Sequence, residues 1–172
     1  HSGVAYLHFP VRIIHEKERV ITFTNVLQRC GGYAVKVESA GVAHEWEHWF
    51  AALNSKNPFD MYRTFVVLIG DADHYYSCGM HHFGLPDVEV ERSVEINEAA
   101  DLMNRFNYWQ IVEVPILAAG HTFSVTIDAP RYRINLKNVV AKLYKFNYKS
   151  TLWFNDNILR IFIVIYTKSR IT

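Results

Sequence analysis

The sequence has little of what usually announces a function. Two cysteines, Cys30 and Cys78, occur in 172 residues. That is too few for a disulfide-built scaffold, so free thiols in a reducing cytoplasm are expected, although one bridge would be possible. No charge of one sign dominates, because 18 Lys and Arg stand against 17 Asp and Glu, and the chain as a whole has no field that calls for a polyanion. The longest apolar run, 158–166, is broken by Arg160 and falls well short of the roughly 20 residues a membrane helix needs. No secretory signal is legible in the sequence, and a cytoplasmic location is expected. Neither glycine-rich phosphate loop occurs, and the G-x-S-x-G nucleophile elbow is missing.

What is there is apolar and aromatic. Half the residues are hydrophobic and 15% are Phe, Trp or Tyr, enough to bury a core and incompatible with disorder. A single domain over 1–172 is expected. Charge is unevenly placed. Residues 87–101 hold Asp87, Glu89, Glu91, Glu95, Glu98 and Asp101 against Arg92 alone, whereas 131–172 hold nine Lys or Arg and one acid, Asp156. An acidic flank and a basic C-terminal third follow.

Periodicity gives a coarse order of elements. An extended apolar segment over 4–14 precedes a helix over 16–30, where Val20, Phe23, Leu27 and Cys30 form the buried stripe and Gly31-Gly32 ends it. The alternation of YAVKVES predicts a strand, and Ser39 is placed to cap a helix reaching about Leu53. The apolar run YRTFVVLIG predicts a central strand, turned at GDAD into a returning strand HYYSCGM, with HHFGLPD as a loop. VEVE alternates, and a helix capped by Ser93 or Asn97 runs to about Tyr108, with Ile96, Ala99, Ala100, Met103 and Phe106 on its apolar side. HTFSVTI-DAP-RYRINL and TLWF-NDN-ILRIFIVIY predict two hairpins. The resulting fold class is α+β, a mainly antiparallel β-sheet with two or three helices packed on one face.

His44-Glu45-Trp46-Glu47-His48 matches the zinc-protease pattern H-E-x-x-H, in which two histidines one turn apart bind zinc and the glutamate activates a water. On a helix advancing about 100° per residue, His48 lies about 40° from His44, while Val42, Trp46, Trp49, Phe50 and Leu53 gather on the opposite side. The histidines are therefore expected to face water. No third ligand is evident on a following helix, and Asp71, Asp73 and His74 fall in a strand turn. A zinc-dependent hydrolase on His44, Glu45 and His48 is the alternative reading, and no cofactor is expected.

His74, Cys78, His81 and His82 lie within nine residues, which offers a metal cluster or a Cys-His nucleophile. No acid flanks CGMHHFG to orient an imidazole, so a core cysteine with loop histidines is the simpler expectation. Gly120-His121-Thr122 brings another histidine to a strand start. The segment from Arg131 interleaves cations with aromatics, as single-strand nucleic-acid binders do. Cations outward and aromatics inward on edge strands explain the same pattern, so nucleic acid is the minor alternative.

Four stretches, RCGGYAVKVESAGVAHEWEHW, YYSCGMHHFGLPDVEV, EAADLMNRF and AAGHTFSVTIDAPRYRI, occur in an order that resembles a bacterial family known as domain of unknown function 4261. The resemblance covers about residues 30–136 and leaves 1–30 and 137–172 outside. It implies a bacterial protein of the kind found beside secreted toxins, and carries over no catalytic residue. The expected function is accordingly non-enzymatic binding of a protein partner, as an immunity factor that neutralises a toxin or effector. His81, His82, His121, Arg131 and Arg133 are the candidate partner-binding residues.

Overall fold

The computed structural model describes residues 4–9, 12–38, 40–135 and 161–167. Their order is β1 (Val4–Phe9), α1 (Ile13–Arg29), β2 (Gly32–Val37), β3 (Val42–His44), α2 (Trp46–Asn54), α3 (Pro58–Phe65), β4 (Val67–Gly70) and β5 (His74–Cys78). A 3-10 turn (Met80–Phe83), β6 (Glu89–Glu91), α4 (Ile96–Glu113), β7 (Thr122–Phe123), β8 (Tyr132–Arg133) and β9 (Ile161–Thr167) follow. The class is α+β, as the periodicity predicts, and every strand pair is antiparallel. The strands divide among three small sheets, ordered β1-β9-β2-β3, β4-β5-β6 and β7-β8, and four α-helices accompany them. β9 enters between β1 and β2, pairing Ile161 with Phe9 and Ile163 with Val37. The expected partner strand of its hairpin, TLWF, lies outside the described residues.

Helix α1 starts a turn earlier than its sequence pattern implies, and the line it buries is not the expected one. Ile13, Val20 and Thr24 are inside, while Phe23 and Cys30 are exposed. Thr24 is tolerated there because its hydroxyl donates to the carbonyl of Val20 at 2.7 Å and accepts the indole N–H of Trp49 at 3.1 Å. Val35 and Val37 of β2, Trp49 and Leu53 of α2, Phe65 of α3 and Met80 complete the fully buried centre of the core.

Two sequence expectations fail at the middle of the chain. No helix runs from Ser39 to Leu53; a turn at Gly41 leads into β3, and α2 begins only at Trp46. Nor is YRTFVVLIG one strand, since Tyr62–Phe65 closes helix α3 and only Val67–Gly70 is extended. The local chemistry explains the second case. Asn57 caps α3 by accepting the N–H of Phe59 and Pro58 occupies the first turn, where its missing N–H and fixed φ cost nothing. Met61, Tyr62, Thr64 and Phe65 then face inward at helical spacing. The last long helix is capped by Glu95, whose carboxylate accepts from the N–H groups of Asn97 and Glu98. It extends past Tyr108 to Glu113 and ends at Val114 in the left-handed region, φ 45°. Ile96 is exposed, and Leu102, Asn107, Gln110 and Ile111 join Ala99, Met103 and Phe106 inside.

Candidate functional site

The H-E-x-x-H letters straddle a strand–helix junction. His44 ends β3, Glu45 is the N-cap of α2, and His48 lies in the first turn of that helix. The expected pair of outward histidines on one helical face is therefore not formed. His44 turns inward, its Nε2 2.9 Å from the carbonyl of Thr64 and its ring 6.0 Å from that of Trp49. Because a carbonyl can only accept, Nε2 carries the proton in that contact. Burial pulls the pKa of His44 below the ordinary value, the Thr64 bond pulls the other way, and His48 lowers it further. His48 is exposed. Among the described residues no group of three His, Cys, Asp or Glu is placed to hold a metal ion.

Beside this junction lies a shallow pocket of about 410 Å³. The aromatic residues Tyr33 and Trp46 line it together with Ala34, Ala43 and His44. The acidic residues Glu45 and Glu47 complete the lining. Trp46 is fixed in two ways: its indole N–H donates to the carbonyl of Gly32 at 2.7 Å, and its ring stacks on Phe50 at 5.8 Å and 16°. The Glu45 carboxylate makes no capping bond to its helix.

The CGMHHFG segment folds as a tight knuckle held by an aspartate that sequence reasoning did not single out. Asp87 Oδ1 accepts from the Ser77 hydroxyl and the Met80 N–H, both at 3.0 Å, and Ser77 Oγ in turn accepts the Val88 N–H at 2.9 Å. Gly79 permits the approach: its φ is 129°, and a Cβ there would meet the Phe65 carbonyl oxygen at 2.1 Å, a contact no side chain tolerates. Burial raises the Asp87 pKa to about 6 against those hydrogen bonds. The same burial, with Asp87 close by, pushes the Cys78 thiol up to about 11, so it stays protonated at neutral pH and is a poor nucleophile. His82 is fully buried, 5.3 Å from the Phe65 ring and 4.1 Å from His81. His81 is half-buried, and its Nδ1 is a buried atom with no hydrogen-bond partner among the described residues. Burial holds His81 down to about 4, and burial together with the neighbouring His81 holds His82 well below its ordinary value. His82 does not offer a partner the exposed imidazole that the sequence reading anticipates, because it and Phe83 pack into the core, while His81 is half-buried.

Behind the knuckle, α3 and α4 share a buried polar chain. The Tyr62 hydroxyl donates to Asn104 Oδ1 at 2.8 Å and accepts from Asn107 Nδ2 at 3.3 Å, and Asn107 Oδ1 accepts from Gln110 Nε2 at 3.3 Å. Nothing in this chain is arranged as a nucleophile with its base. It fastens two helices together, and it leaves Gln110 Oε1 as a buried acceptor with no hydrogen-bond partner among the described residues.

The remaining candidates do come together. His121, Arg131 and Arg133 are all exposed on the hairpin of β7 and β8, where Thr122 pairs with Arg133. Phe123 anchors the hairpin to α4, 5.0 Å edge-on from Phe106 and 5.4 Å from Trp109, and the Tyr132 hydroxyl donates to Glu98. The connecting loop is organised by the Ser124 hydroxyl, within 3.1 Å of the carbonyls of Thr126, Ala129 and Pro130. Ile127 stands on that loop 90% exposed, and Ile116, just before the hairpin, is 92% exposed.

No family model, no curated protein and no solved structure matches the chain. No helix among the described residues is long and apolar enough to cross a membrane.

Proposed function

We propose that this α+β domain is a protein-binding module that meets its partner through the β7–β8 hairpin. Its role would be that of a cytoplasmic immunity factor, neutralising a toxin or effector. The carrying observation is Ile127, a large apolar side chain held 90% exposed on a loop organised by its own hydrogen bonds. Arg131 and Arg133 follow it on the same hairpin, both exposed. Exposed arginines around an apolar centre are the composition of interface hot spots, and a loop already ordered loses less entropy when it docks. The immunity role draws on the resemblance to domain of unknown function 4261 and on nothing in the site itself.

The test is capture of the products of adjacent genes by the purified chain. One product should be retained in a complex that survives gel filtration, and Ile127→Asp or Arg131→Glu with Arg133→Glu should weaken it at least about tenfold. Retention of no neighbouring product, or a complex indifferent to these substitutions, would remove the proposal.

A further inference from the structure

The pocket beside β3 has no part in the hairpin surface, and its lining has a definite chemical character. We infer that it receives the guanidinium group of an arginine side chain presented by a partner polypeptide. Four observations carry this. Tyr33 is 68% exposed and Trp46 half-buried, so two aromatic rings border an open space. Trp46 is locked by its bond to Gly32 and its stack on Phe50, so the ring need not be ordered on binding. Glu45 and Glu47 border the same space, and neither is in an ion pair among the described residues. Ala34 and Ala43 leave the room that longer side chains would fill.

Planar cations are held by this combination. A guanidinium stacks on an aromatic face while its N–H fork meets a carboxylate, and an ammonium, compact and strongly hydrated, uses only the second feature well. Of the cation-forming groups nearby, His44 donates to Thr64 and burial lowers its pKa, and Lys36, across from Ala43, is engaged by Glu38 at 2.8 Å. An anion would have to approach two carboxylates, which cancels the attraction of the α2 N-terminus.

The experiment titrates the intact chain with an arginine blocked at both ends by acetyl and methylamide groups, following the indole N–H resonance of Trp46. A saturable shift is expected. Capped citrulline, the neutral isostere, should produce none. Capped lysine should bind more weakly. Glu45→Gln together with Glu47→Gln should raise the dissociation constant about fivefold, and Tyr33→Ala, at an exposed position, should weaken binding while leaving the rest of the spectrum in place. Equal response to citrulline, binding indifferent to the glutamates, or no saturable shift would overturn the assignment. Tighter binding of free arginine than of the capped form would overturn the polypeptide source, and lysine binding as well as arginine would overturn the guanidinium.

Discussion

Trp49 of α2 donates its indole N–H to the hydroxyl of Thr24 on α1, 3.1 Å away, and both residues are completely buried. The contact joins two helices that are 25 positions apart at these residues, and it makes a polar side chain obligatory inside an apolar core. A buried donor without an acceptor forfeits its hydration with nothing in return.

Thr24→Val keeps the shape and removes the acceptor. It is expected to lower unfolding stability by about 1–3 kcal/mol, the usual penalty for an orphaned buried group. Thr24→Ser, which keeps the hydroxyl, should recover most of the hydrogen-bond contribution. Urea midpoints at constant slope measure the difference, and equal loss in both variants would show that the methyl group, and not the hydrogen bond, matters.

His44 and His48 should respond unequally to removal. His44→Ala breaks the bond to the Thr64 carbonyl and the contact with Trp49, an expected loss of about 1–2 kcal/mol. His48→Ala, at an exposed position, should stay within about 0.5 kcal/mol. A zinc centre built on the pair would make the two substitutions equivalent in bound metal, which elemental analysis of both variants checks.

The knuckle predicts a pH dependence. Burial holds His81 down to about 4 and His82 well below its ordinary value, so the unfolded chain binds protons there that the fold excludes. Their contribution is fully present above the ordinary 6.5 and is lost as the pH falls toward 4. Asp87, raised from 3.8 to about 6 by burial, acts in the opposite sense: its contribution is present at low pH and lost as the pH rises through 6. Each group changes stability by at most about 1.4 kcal/mol per pH unit, and the His81 window alone amounts to about 3 kcal/mol. Two histidines outweigh one aspartate, so the urea midpoint should fall between pH 7 and pH 5. Asp87→Asn should make the fall steeper, because the opposing group is gone. A midpoint that is flat or rises on acidification contradicts the burial of the imidazoles.

Strands with clean alternation or turn signals were legible where local chemistry alone decides. Val35 and Val37 point inward from β2, and Asp71 Oδ1 accepts from the N–H groups of Asp73 and His74 to close the β4–β5 turn. The hairpin bearing His121, Arg131 and Arg133 was legible for the same reason, though its paired strands are only two residues long. Helix boundaries were less so. Val42 to Leu53 has an apolar stripe when wound as one helix, yet the first three residues extend because they pair with β2, Val42 with Val37 and His44 with Val35. Glu45 and Glu95 are the same residue at the same cap position, and only the second bonds its helix; the letter does not tell them apart. Asp87 escaped notice because its partners, Ser77 and Met80, are defined by a fold-back that no periodicity records.

The sequence by itself determined the α+β class, the antiparallel pairing and the placement of the exposed arginines, since side-chain period and turn residues act over a few positions. Only the tertiary structure decided that β9 lies between β1 and β2, that His44 turns inward to Thr64, and that His82 leaves the surface. Each of these depends on which distant segment supplies a hydrogen-bond partner or excludes water, and that is fixed when the core closes.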